Sequence, residues 1–524
     1  MRKAFIFLVL TGMLLSACGT NLWGTYDAYL TPMPTSIGTV PPDPYPTPTN
    51  LFLPLSTTQA ATVLPSPTDT PTAAVTPGTP RPIVYSSQSG DSLEAVALHF
   101  GVQVSEITSR ESLPNTGLLN PDTTLIIPDL LSQTQTTPSL KIIPDSELVY
   151  SPSAQSFDIE NYVSSAGGKL STFSEYMATV GTITGAEGIQ RIAYGSSISP
   201  RILLALIQYY TGWVQGQPKP GVDEKYPLGY HDPQYQAQYQ GLYQQLRLLV
   251  RELLGGYYGW RDGTLTGLTF PDGTTLRLAP DLNAGTVSLQ YLFSRHLNYA
   301  EWRTVLYPEN PETGFPAFFA NMFGDPWERA RETGPLFPPD LTQPTFTLPF
   351  EVGVPWTLTS GPHPAWEEQS AWAALDFAPP LNDSPCESND WVVAIAAGQI
   401  VRSEGSYVVL DVDPDGFEQT GWVVLYQHIA TKDRIPVHTW VNAGDRIGHA
   451  SCEGGTATGA NVHIVRKYNG EWVAAGDPLP FILSGWTAHA GSQMRQGTLT
   501  KDGKTVTASP VSSRESQIIR QSGE

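Results

Sequence analysis

Histidine is scarce in this chain, nine in 524 residues, and those with metal-ligand potential gather in its C-terminal third. Gly361-Pro362-His363 is followed thirteen residues later by Asp376, within Leu375-Asp376-Phe377. Tyr426-Gln427-His428 comes next, and then Asn461-Val462-His463. Two histidines and one carboxylate form a common catalytic zinc set, because they fill three corners of a tetrahedron and leave the fourth for water. Zinc (Zn2+) in such a site lowers the pKa of that water toward about 7 and polarises a carbonyl. Asp376 suits the role, since its short side chain keeps the carboxylate close to its strand. Any one of these residues alone reads as an ordinary solvated or core side chain. Their order and spacing together point to a site.

That pattern resembles the lysostaphin/LytM/LasA family of zinc endopeptidases, most closely the LasA branch, over residues 340–485. The resemblance implies that His363, Asp376 and His463 hold zinc. It also implies that His428, in a Tyr-x-His motif, is the catalytic histidine, and that the substrate is a peptide bond in a peptidoglycan cross-link. One position departs from the family, which ends its site with His-x-His. Residues two apart on a strand face the same side, so both family histidines reach the groove. Here the first of them is Asn461. An amide can hydrogen-bond an oxyanion or a water, but it cannot accept a proton as a general base near neutral pH. General acid–base groups contribute about 100- to 10,000-fold, so Asn461 separates two readings. In one, the protein is a peptidase in which His428 carries the proton work. In the other, it is a non-catalytic zinc- or wall-binding pseudoenzyme that activates another cell-wall hydrolase. His449 is read as structural, with compensation for Asn461 as the alternative.

The elements that would position these residues are β-strands. After Pro344, helix patterns give way to short apolar runs at Trp391–Ala396, Tyr407–Val412, Trp422–Tyr426 and Val462–Val465, split by Gly, Asn and Asp. An antiparallel all-β metallopeptidase domain over 340–485 fits, followed by a mobile tail at 486–524. Val441 to Gly448 and Ala394 to Gly398 resemble two turns of the family. Cys386 and Cys452 fall in this domain, and in an oxidising compartment they read as one disulfide. Two free thiols are the alternative.

Upstream, residues 156–335 read as a mainly α-helical domain, reached through a linker at 131–155. Ala205 to Trp213 and Asn283-Ala284-Gly285-Thr286 weakly resemble lysozyme-like lytic transglycosylases. The position of that family's catalytic glutamate holds Tyr210, a phenol with an ordinary pKa near 10. A non-catalytic spacer or wall-contact role follows. Residues 82–130 form a compact unit in the order strand, helix, helix, strand. Gly90-Asp91-Ser92 caps a helix that carries Leu93, Val96, Ala97 and Phe100 on one face. A second helix is expected near Val104, and Leu125-Ile126-Ile127 closes the unit before Pro128. This β-α-α-β order resembles the LysM fold, which implies binding to glycans built on N-acetylglucosamine, hence to peptidoglycan.

The N-terminus reads as an export signal. Arg2 and Lys3 precede an apolar run from Ala4 to Leu15, too short to span a bilayer comfortably. Leu15-Ser16-Ala17-Cys18 then resembles a bacterial lipobox, which implies lipidation at Cys18 and a membrane anchor (signal at 1–18) on the membrane's outer face. Residues 19–81 are rich in Pro, Thr, Ser and Ala, cannot bury a core, and suit an extended tether. The formal net charge of -20 and the pI near 4.8 lack the basic footprint that nucleic-acid binding needs.

Overall fold

The structure, a computed structural model, describes residues 81–178, 180–231, 236–380, 384–455 and 457–524. The leader, Cys18 and nearly all of the tether therefore lie outside the described residues. Among the described residues, no helix is long and apolar enough to cross a membrane.

In the first unit, Ser92 Oγ accepts the Ala95 N–H at 3.2 Å and starts the helix Leu93–Phe100. Gly101 stops it in a left-handed conformation, φ 68°. Leu93, Val96, Ala97 and Phe100 are buried with Leu125 and Ile127. Those two belong to the strand Thr124–Ile127, which lies between Ile83–Ser86 and Thr108–Ser109. The second helix expected near Val104 is a single 3-10 turn, Val104–Glu106. β-Branched Val104, Ile107 and Thr108 crowd a helical turn and favour extended backbone, and the chain enters a strand at once.

The middle unit is helical, with two short hairpins, Ser174–Met177 with Gly181–Thr184 and Gly267–Thr269 with Thr275–Arg277. The helix Pro200–Thr211 begins on a proline, whose fixed φ suits the first turn, and Gly212 ends it. It packs among Gly185–Ser196, Leu242–Arg261 and Ala284–His296 in one apolar core. The stretch expected as a linker is packed rather than free. Ile142, Ile143, Leu148 and Val149 are buried in that core. Asp145 accepts from Asn283 Nδ2 at 2.6 Å and from the Gly285 N–H at 2.7 Å.

The C-terminal unit is built on a nine-stranded antiparallel sheet. Its strands run in the order Trp440–Val441, Gly398–Glu404, Tyr407–Asp411, Trp422–Gln427, Val462–Tyr468, Ala374–Ala378, Pro355–His363 and Gln517–Ile519, with Glu471–Trp472 paired to Val462–Tyr468. Its central strands are apolar on both faces, and the two-residue period explains why. Val408, Leu410, Val424, Tyr426, Val462 and Ile464 enter the core of the β unit. Val409, Val423, Leu425 and Val465 point the other way and share the core of the helical unit. The helical unit is thus a layer laid on the sheet. Residues 486–524 are not a mobile tail. They complete a four-stranded sheet from Ile482 to Thr507 and supply the edge strand Gln517–Ile519. Their buried apolar residues, Ala488, Leu499, Val506 and Ile518, occur singly along the chain, and none has a buried apolar neighbour in sequence.

One arginine joins all three units. The Arg261 guanidinium donates to Glu471 Oε1 at 2.8 Å, to Asp145 Oδ2 at 2.9 Å and to the Ser89 carbonyl at 2.6 Å. Gly90 makes room for it, since a Cβ there would lie 2.4 Å from the guanidinium. Tyr257 donates its hydroxyl to the other Glu471 oxygen at 2.7 Å. Arg261→Met leaves two carboxylates buried without their cation, and breaking a buried pair costs about 3–5 kcal/mol. Urea unfolding should show that loss, with Arg261→Lys recovering only part because it lacks the planar fork. An unchanged midpoint would mean that the carboxylates draw their stability from elsewhere.

Candidate metal centre

His463 and Asp376 lie directly opposite each other on neighbouring antiparallel strands. Both project from the sheet face that the helical unit covers, His463 in line with Val465 and Asp376 in line with Ala374. His363 ends its own strand, opposite Ala374, after two shifts of register past Leu358 and Ser360. Such bulges re-aim side chains, and here they bring a third ligand to the pair. Asp376 Oδ1 is 2.9 Å from His463 Nδ1 and 3.2 Å from His363 Nε2, and the two nitrogens are 3.2 Å apart. A tetrahedral zinc with bonds of about 2.0–2.1 Å holds its ligand atoms about 3.3 Å apart. The triangle therefore has the dimensions of three corners of a zinc site.

The hydrogen bonds agree with that. His363 Nδ1 is 2.8 Å from the Gly361 carbonyl. A carbonyl only accepts, so Nδ1 carries the proton and the Nε2 lone pair faces the cluster. Among the described residues, His463 Nε2 is buried without a hydrogen-bond partner. Burial pushes His363 below the usual histidine range. Burial would raise Asp376, but His363 and His463 beside it hold its carboxyl well below the usual carboxylate range. A neutral imidazole and an ionised carboxylate are the forms that bind a metal.

His428 follows the strand Trp422–Gln427 in a left-handed conformation, φ 65°, with its ring edge-on to that of His463 at 6.3 Å between centroids. Its Nδ1 donates to the Glu453 carbonyl at 2.8 Å, which puts the lone pair of the neutral ring on Nε2. The Ser451 N–H and hydroxyl both bond the His428 carbonyl, at 2.8 and 3.0 Å. Asn461 precedes the strand Val462–Tyr468, bridged to Ser451, and its amide donates to the Gly459 carbonyl at 3.0 Å. His449 lies apart from the three-residue cluster. Its ring packs on Trp391 at 3.8 Å between centroids, and Nδ1 bonds the Asp390 carbonyl at 3.2 Å.

The segment between His363 and Asp376 is held by the helical unit. Arg247 Nε bonds Glu367 at 2.8 Å, Arg251 pairs with Glu368 at 3.5 Å, and the Trp366 indole lies on Gly195. Tyr210 is buried in the helical core beside Tyr209 and Phe293, and burial raises its phenol well above its usual range. Arg495 also reaches the cluster, with Nη1 3.4 Å from Asp376 Oδ2. The sequence carried no signal for it, because it sits in the stretch that reads as a tail.

Two family models match the chain. The LysM domain matches residues 88–128, and "LasA, N-terminal domain" matches residues 141–338. The second match takes in the unit that reads from sequence as weakly lysozyme-like. The chain therefore combines a LysM domain with a LasA-type arrangement. It is similar to Protease LasA of Pseudomonas aeruginosa, 26% identical over 380 residues that cover 66% of this chain and 78% of that protein. Among solved structures it is similar to the M23 metalloprotease pseudoalterin, at 20% identity over 32% of this chain and 96% of that one, TM-score 0.25. It is also similar to the catalytic domain of lysostaphin from Staphylococcus simulans, at 22% identity over 24% of this chain and 89% of that one, TM-score 0.18.

Cys386 and Cys452 are joined, with the sulfurs 2.07 Å apart. The bridge stands beside Glu453, whose carbonyl orients His428. Closing a loop of 66 residues removes chain entropy equivalent to about 4 kcal/mol. Cys386→Ser and Cys452→Ser should each lower the melting temperature in oxidised samples and leave it unchanged under reduction. Equal melting of variant and parent under oxidising conditions would show that the bridge does not form in solution.

Proposed function

We propose that this protein is a zinc-dependent endopeptidase that hydrolyses peptide bonds in peptidoglycan cross-links, held at the cell wall by its LysM domain. The observation that carries this reading is the convergence of His363 Nε2, Asp376 Oδ1 and His463 Nδ1 within 2.9–3.2 Å on one sheet face. These three would hold the ion. Bound there, zinc would supply a polarised carbonyl and an acidified water. The chain's own contribution is placement and proton handling. His428 presents Nε2 as its basic nitrogen, because the Glu453 carbonyl occupies the proton on Nδ1. Asn461 can donate a hydrogen bond to a developing oxyanion but cannot take up a proton. The similarity to LasA supports the substrate class. The LysM domain raises effective substrate concentration without touching the chemistry, by binding N-acetylglucosamine glycan. The protein would work at the cell wall, and a lipid anchor at Cys18 rests on the leader sequence.

Asn461 favours a second reading, a pseudoenzyme that binds zinc or wall peptide and activates another hydrolase. Amine release from purified peptidoglycan by the zinc-loaded full-length protein separates the two. Release by the parent, at least about 100-fold above His463→Ala, is the result expected of a peptidase. Asn461→His should then raise the rate further. No release by the parent, with release gained in Asn461→His, would establish the pseudoenzyme.

A further inference from the structure

The metal-centre cluster has a fourth contributor, from a part of the chain distant in sequence. Arg495 stands in the turn between the strands Trp486–Ala490 and Gly497–Lys501. That turn is bonded to the segment leading into His363. The Gly361 N–H donates to the Arg495 carbonyl at 2.8 Å, and the Arg495 N–H donates to the Pro362 carbonyl at 3.2 Å. Gly361 is required for this approach, since a Cβ there would lie 2.7 Å from the backbone of Gln496 and Gly497. Arg495 itself is left-handed, φ 70°, a conformation that costs a non-glycine residue energy and persists only when its surroundings impose it.

The side chain leads back to the cluster. Nη1 lies 3.4 Å from Asp376 Oδ2 and 3.4 Å from Ser360 Oγ. The two carboxylate oxygens of Asp376 are thereby divided. Oδ1 faces His363 and His463, and Oδ2 faces the guanidinium. We propose that Arg495 is a positioning residue for Asp376, holding the outer carboxylate oxygen so that only Oδ1 is turned toward a metal between His363 and His463. This rests on the metal-centre reading above and adds to it the element that sets the carboxylate's orientation. Without a partner on Oδ2, the carboxylate is free to rotate and to offer both oxygens. A cation beside a divalent metal also repels it, so orientation and repulsion act in opposite directions. Orientation is the larger effect here, because the guanidinium is 52% exposed and its charge is screened by water. Outer partners of metal ligands contribute 10- to 100-fold to affinity or activity.

The test uses the full-length protein as parent, Arg495→Met and Arg495→Lys. The first readout is the zinc dissociation constant, by competition with a chelator. The second is the visible absorption of the Co2+-substituted protein, which responds to the number of ligand atoms. The expected result for Arg495→Met is zinc binding weakened about 10- to 100-fold, with the cobalt bands weakened as the carboxylate takes up two-oxygen ligation. Arg495→Lys should recover part of both. Melting curves check that the variants fold, and Arg495→Gln supplies the same comparison if the methionine variant does not. Zinc affinity in Arg495→Met equal to or above that of the parent, with an unchanged cobalt spectrum, would overturn the proposal. A parent that binds no zinc would instead overturn the metal-centre reading itself.

Discussion

Asp376 and His463 face each other across one antiparallel strand pair, and the rest of the C-terminal unit is arranged around that register. A slip of one residue on either strand would turn one ligand to the opposite face of the sheet. The apolar residues on both faces prevent it. Leu375, Phe377, Val462 and Ile464 are committed to one core, and Ala374 and Val465 to the other. Moving any of them would put polar ligands into a core and core residues into the groove. The register of a buried sheet and the geometry of the Asp376–His463 pair are therefore a single constraint.

The helical unit takes part in that constraint. By covering the second face it turns an exposed sheet into a buried one, which is why Val409, Val423 and Leu425 are apolar where a one-sided sheet would carry polar residues. It also grips the segment between His363 and Asp376 through Arg247 and Arg251. The two ligands on either side of that segment are held from the helical layer as well as from the sheet. The Arg261 network extends the same linkage to the LysM domain, which is docked against the body of the protein through Ser89. Glu471 is buried and Asp145 half-buried, and one guanidinium answers both carboxylates.

On the other side of the cluster, His428 is fixed by main-chain and side-chain hydrogen bonds. His428 is held by its own carbonyl, bonded twice by Ser451, and by its ring, bonded to Glu453. The Cys386–Cys452 bridge closes the same loop. Asn461 spends its amide on Gly459, a local contact at the start of its strand. The tautomer of the neutral His428 ring is thus set by a main-chain carbonyl.

The candidate metal-site residues were legible in the sequence because metal chemistry restricts residue type: His363, Asp376 and His463 stand out by type and order alone, and the structure brings their side chains together. The LysM helix was legible for the same kind of local reason, with Ser92 and Gly101 marking its ends. Two of the four apolar runs, Trp422–Tyr426 and Val462–Val465, lie within strands, Tyr407–Val412 runs one residue past its strand, and Trp391–Ala396 is strand only as far as Val393. What depended on distant partners could not be read. The 131–155 stretch looks like a linker until Ile142 and Leu148 meet the helical core. Residues 486–524 look like a tail because their buried residues occur singly, and only pairing with Pro355–Thr357 and with one another makes them strands. Arg495 has no sequence relation to Asp376, and its place is decided by backbone bonds to Gly361 and Pro362. Residue chemistry and local caps are properties of short segments, so the sequence by itself marked the candidate cluster residues and the helix ends. Register, the second buried face and the partner of Asp376 Oδ2 arise from segments about ninety or more residues apart meeting in a close-packed interior, and only the tertiary structure decided them.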